Sequence, residues 1–94
     1  MADEPSSLTF TAFLLSLATT TAVHFGDLPD PASGQKEVNL PAASQMIDIL
    51  GLLEEKTRGN LTEEESALLG QLLYELRLRY VDAQQAGQSR IIRP

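Results

Sequence analysis

The chain has 94 residues, enough for one small domain with a modest core. It has no cysteine, which excludes disulfides and thiolate metal sites and leaves association between subunits as the available support for so small a core. Thirteen acidic residues against seven basic ones give a formal charge of −6, which repels phosphate backbones and anionic headgroups and argues against nucleic acid as a direct ligand.

Residues 1–7 read as a flexible N-terminus. From there to Asp27 no formal charge appears, and Leu8 to Phe25 predicts a first helix. At about 100° per residue, Phe10, Phe13, Leu14, Leu17, Thr21 and His24 share one face, and Leu8, Leu15, Ala22 and Phe25 share a second. The polar strip of Thr9, Ser16, Thr19 and Thr20 is narrow and uncharged. A helix apolar around most of its circumference, in a chain too small to enclose it, predicts an interface between subunits formed by Phe10, Phe13, Leu14, Leu15, Leu17 and Phe25. The run is long enough to raise a membrane span, but five Thr, one Ser and one His dilute it and acidic residues flank it. The start Asp3, Glu4, Pro5 also lacks the basic region of a secretory leader.

Residues 26–40 form a long connector rich in Gly, Pro and Asp. Gly26 is placed to take a left-handed conformation and close the first helix, and Pro29 and Pro31 prevent its resumption. Lys36 to Leu40 suits a short extended edge. His24, Asp27 and Asp30 are of types that ligate metals, yet Asp in a Pro/Gly loop is a turn former and a His at a helix end caps carbonyls. No metal or cofactor is assigned.

A second helix is expected over residues 41–58, opening at Leu40 with Pro41 in its first turn. Its stripe is Ala43, Met46, Ile47, Leu50 and Leu53, widened by Ile49 and Leu52; Gly51 suggests close approach of another helix. Lys56 and Arg58 suit a helix C-terminus, and Gly59 supplies a left-handed stop. After Asn60 and Leu61, Thr62 and Glu65 form the T-x-x-E capping box, with Glu63, Glu64 and Glu65 compensating the dipole. The third helix is expected over residues 62–84, with Ala67, Leu69, Leu72, Leu73, Leu76, Tyr80 and Ala83 inward and Leu68, Leu78 and Val81 widening the stripe. Residues 85–94 read as a flexible tail, with Ile91 and Ile92 as a docking peg.

The expected fold is therefore all-α: an antiparallel helical hairpin with the N-terminal helix packed across it, completed by oligomerisation. No nucleophile with its base, metal quartet or phosphate loop can be assembled from these spacings, so an enzyme is not expected. The leading reading is a non-enzymatic, self-associating adaptor or structural module, most simply a homodimer, with an unidentified protein partner possible. The alternative is a small-molecule or anion-binding regulator using His24, Arg77, Arg79 and Tyr80. A membrane-peripheral protein using the first helix comes third.

Three stretches resemble the bacterial family catalogued as domain of unknown function 1844: Phe10 to Pro31, Ile47 to Glu65 and Leu73 to Val81. Within them Phe13, His24, Gly26, Asp48, Gly59, Asn60, Arg77 and Tyr80 carry the likeness, while Leu78 stands where Met is more usual. The resemblance implies a compact helical bacterial protein of the cytoplasm, and it brings no activity, cofactor or partner.

Overall fold

The computed structural model describes residues 8–92, with side chains as far as Ala86. The N-terminal residues 1–7, the side chains of Ile91 and Ile92 and the last two residues lie outside it. Among the described residues there are three helices and no strand: α1 over Phe10–His24, α2 over Leu40–Lys56 and α3 over Glu63–Ile92. Each helix packs on the other two.

Local chemistry sets the ends. The Thr9 hydroxyl accepts from the Ala12 N–H at 3.0 Å and opens α1, and the Asn39 side chain accepts from the Ala42 N–H at 3.1 Å and opens α2. At the start of α3 both bonds of a capping box form: the Glu65 N–H donates to the Thr62 hydroxyl at 3.1 Å, and the Thr62 N–H donates to the Glu65 carboxylate at 2.9 Å. The close of α1 is a complete Schellman motif, with Gly26 at φ 81°, its N–H on the Val23 carbonyl and the Asp27 N–H on the Ala22 carbonyl.

Two boundaries depart from expectation. Helix α2 stops at Lys56 rather than 58, because Thr57 turns out of the helix while its N–H and hydroxyl both donate to the Leu53 carbonyl. Helix α3 runs on to Ile92 rather than ending near residue 84. The apolar periodicity fades there, but Ala83, Gln84, Gln85, Ala86 and Gln88 are good helix formers, and a single Gly87 does not stop them. The extended edge expected over Lys36–Leu40 is likewise not a strand, since no other strand lies among the described residues to pair with it.

The core is drawn from all three helices: Leu14 of α1, Phe25 just past its end, Ala43, Ile47 and Leu50 of α2, and Leu69 and Leu73 of α3. Leu14, Leu50, Leu69 and Leu73 are almost wholly out of water, each contributing about 1.5–3 kcal/mol. Thr21 is also fully buried, and its hydroxyl donates to the Leu17 carbonyl at 2.7 Å, so it packs as an apolar residue would.

Candidate functional site

The residues proposed to hold an anion stand at the C-terminal end of α1 and the middle of α3, where the connector returns across the bundle. The connector is a closed loop. The Asn39 N–H donates to the His24 carbonyl at 2.7 Å, so the loop ends where it began. Within it, the Asp30 N–H donates to the Gln35 carbonyl and the Asp30 carboxylate accepts from the Ala32 N–H, an Asx turn around Pro31. Gly26 is needed twice over: its φ is left-handed, and a Cβ there would come within 2.9 Å of the Val38 side chain on the returning arm of the loop.

Arg79 fastens this loop to α3. Its Nη2 and Nε donate to the two Asp27 carboxylate oxygens at 2.7 and 3.0 Å, a bidentate pair spanning 52 positions of sequence. The guanidinium also lies over the Phe25 ring, 5.0 Å from its centroid, and approaches Asp82 at 3.8 Å. The hydrogen bonds from Arg79 hold the Asp27 carboxyl below its ordinary value, overcoming the opposing effect of partial burial. The same bonds raise Arg79. Asp27, read as a turn former or metal donor, and Arg79, read as an anion ligand, thus satisfy each other.

The rest of the proposed quartet does not converge with Arg79. Arg77 is two positions away on α3 and lies beside α2, its Nη2 3.5 Å from where a Cβ on Gly51 would stand. No neighbouring helix backbone comes within 4 Å of that position, so the close helix approach expected at Gly51 is not found. Tyr80 is half-buried against the core and its hydroxyl accepts from Gln84 at 3.4 Å. His24 is half-buried in the last turn of α1. Among the described residues no three His, Asp or Glu side chains gather as a metal site would require.

The residues proposed for a subunit interface divide. Leu14 and Phe25 are buried in this chain's own core, because α1 turns the Leu14–Thr21 face inward, and so neither reaches a partner. Phe10 and Leu17 are half-buried beside them. Phe13 and Leu15 stay exposed, and Leu8, Thr9, Phe10 and Phe13 border an open apolar depression of about 320 Å³. The depression has no converging polar groups, since its one hydroxyl, on Thr9, is the α1 cap. Ser16 and Thr19 spend their hydroxyls on the Phe13 and Leu15 carbonyls of their own helix.

The larger exposed apolar run lies on α3, outside the residues expected to form the interface, although Leu78 and Val81 are expected to widen the stripe of that helix. Tyr74, Leu78 and Val81 are about half or more exposed, on the side of the helix opposite Leu69, Leu73 and Leu76. Their 4-3 spacing was the available signal, but it is overlaid on the core stripe and reads as a widening of it.

A family model described as a domain of unknown function, DUF1844, matches residues 7–82. The chain belongs to this family. The family match spans α1, the loop with Asp27, α2 and α3 as far as Asp82, so the Asp27–Arg79 fastening lies wholly within it. No curated protein and no solved structure matches the chain. No helix among the described residues is long and apolar enough to cross a membrane.

Proposed function

We propose that this protein is a non-enzymatic, self-associating helical adaptor. The observation that carries this reading is the apolar surface left over once the core is closed: Leu15 on α1, Leu52 on α2, and Tyr74, Leu78 and Val81 on α3 all keep about half or more of their surface in water. Single exposed apolar side chains are ordinary, but several aligned on one helix mark a contact surface. The surplus of the sequence beyond its own fold is thus apolar, whereas its most distinctive polar group, Arg79, is engaged with Asp27 in holding the loop. That engagement weighs against the anion-binding regulator.

Co-expression of two differently tagged copies tests the reading. Capture through one tag, with protein kept at micromolar concentration and no extended washing, should retain the other copy in moderate salt, as apolar contacts do. Recovery of one tag alone, from protein that is folded by circular dichroism, would refute self-association.

A further inference from the structure

We propose that the outer face of α3 is the contact between two copies of this chain, which pair in parallel, α3 against α3, about a two-fold axis. This rests on the self-association proposed above and assigns it a surface. The exposed positions Ala67, Gln71, Tyr74, Leu78, Val81 and Gln85 recur at alternating intervals of four and three, the repeat that lays one helix along another. The two sides of α3 are thereby allotted separately. Leu69, Leu73, Leu76 and Tyr80 serve the chain's own core, and Tyr74, Leu78 and Val81 face outward with neither α1 nor α2 over them.

Charge selects both the partner and its direction. One flank of the outer stripe carries Gly70, Arg77 and Gln84, and the opposite flank carries Glu75 and Asp82. In a parallel pair the first flank of one helix meets the second flank of its mate, so the exposed Arg77, which rests beside Gly51 of α2 in the single chain, would swing outward to meet Asp82 of the other copy, whose carboxylate also lies 3.8 Å from its own Arg79. In an antiparallel pair like flanks meet, and the carboxylates of Glu75 and Asp82 would confront their own counterparts. The face is therefore complementary to itself in one orientation only. Gln71 and Gln85 occupy one set of seam positions with Leu78 between them, polar layers of the kind that fix register at some cost in strength. With only three large apolar side chains per copy, the seam falls at the low end of interface sizes, below about 1,200 Å² in total, so pairing is expected to be reversible and concentration-dependent.

Because the natural chain has no cysteine, Leu78→Cys places one thiol per copy on the seam. In a parallel pair the two sulfurs meet, and mild oxidation should give a covalent dimer on a non-reducing gel. Sedimentation of Leu78→Lys should give the mass of one chain with the helical circular dichroism of the parent, while Leu15→Lys on α1 keeps the mass of two. Arg77→Glu should weaken pairing, and adding Asp82→Lys should restore it. If the parent itself sediments as one chain, self-association and this proposal both fall. Should Leu15→Lys separate the copies and Leu78→Lys leave them paired, self-association stands and the α3 assignment is overturned. A paired Leu78→Cys variant that forms no cross-link overturns the parallel arrangement.

Discussion

Replacing Arg79 by Gln should destabilise the fold more than loss of an ordinary surface charge, and the structure gives the size. The Asp27 and Arg79 side chains are 44% and 35% exposed, so solvent screens their attraction, and pairs of this kind contribute about 0.2–1 kcal/mol. Bidentate geometry places this one toward the upper end. The guanidinium over Phe25 adds about 0.5–1 kcal/mol, since that ring is otherwise almost completely buried. Arg79→Gln should thus cost about 1–2 kcal/mol, and each kcal/mol lowers the melting temperature of a domain this size by about 4–8 °C. Asp27→Asn retains the side chain's shape and removes only the ionic partner. In a double-mutant cycle the two substitutions should couple by about 0.5–1 kcal/mol. Denaturant unfolding at one fixed protein concentration is the assay, because association would otherwise add its own contribution by mass action. A coupling below about 0.3 kcal/mol would refute the claim that Arg79 holds the loop.

Acid should erase the same interaction. A carboxyl whose folded pKa is depressed contributes its stability above the unfolded value of about 3.9 and loses it as pH falls through the lower folded value. The stability gap between the parent and Asp27→Asn should stay constant from neutral pH down to about 5 and close below about 4; a gap that widens toward acid would contradict the assignment. Gly26 and Gly59, two of the three left-handed glycines, should respond differently to alanine: at Gly59 nothing lies within 4 Å of a new Cβ, so strain alone costs about 1–2 kcal/mol, while Gly26→Ala also meets Val38. Adding Val38→Ala to Gly26→Ala should recover the steric part, and equal costs at the two glycines would show that the loop does not close on Gly26. Thr62→Ala removes a cap and should cost about 1 kcal/mol in thermal or denaturant unfolding, whereas an unchanged midpoint would place the start of α3 elsewhere.

What the sequence revealed follows from the range over which each interaction acts. Capping at Thr62 links residues three apart, and the Schellman closure at Gly26 stays within one turn, so residue type and spacing carry both. The core stripes of α2 and α3 are legible for the same reason, as one face of each helix is plainly more apolar. Helix α1 is different. It is apolar on two faces, and only packing decides that Leu14 and Thr21 turn inward while Leu15 stays out. Thr21 shares a face with Leu14 in the sequence, and its burial is tolerated because its hydroxyl donates to the Leu17 carbonyl. The Asp27–Arg79 pair lies furthest from sequence reasoning, because no periodicity relates residues 52 positions apart. Asp27 does look like a turn residue, and its backbone N–H does serve the helix end; the second task of its carboxylate appears only in three dimensions. The outer stripe of α3 was written in the sequence but overlaid on the core stripe, so Leu78 and Val81 passed for its margin.

Sedimentation equilibrium of the unmodified protein over a range of concentrations tests self-association most directly. Self-association predicts a mass that rises with concentration from the single-chain 10.2 kDa toward twice that value. A mass fixed at 10.2 kDa across the whole range would contradict it.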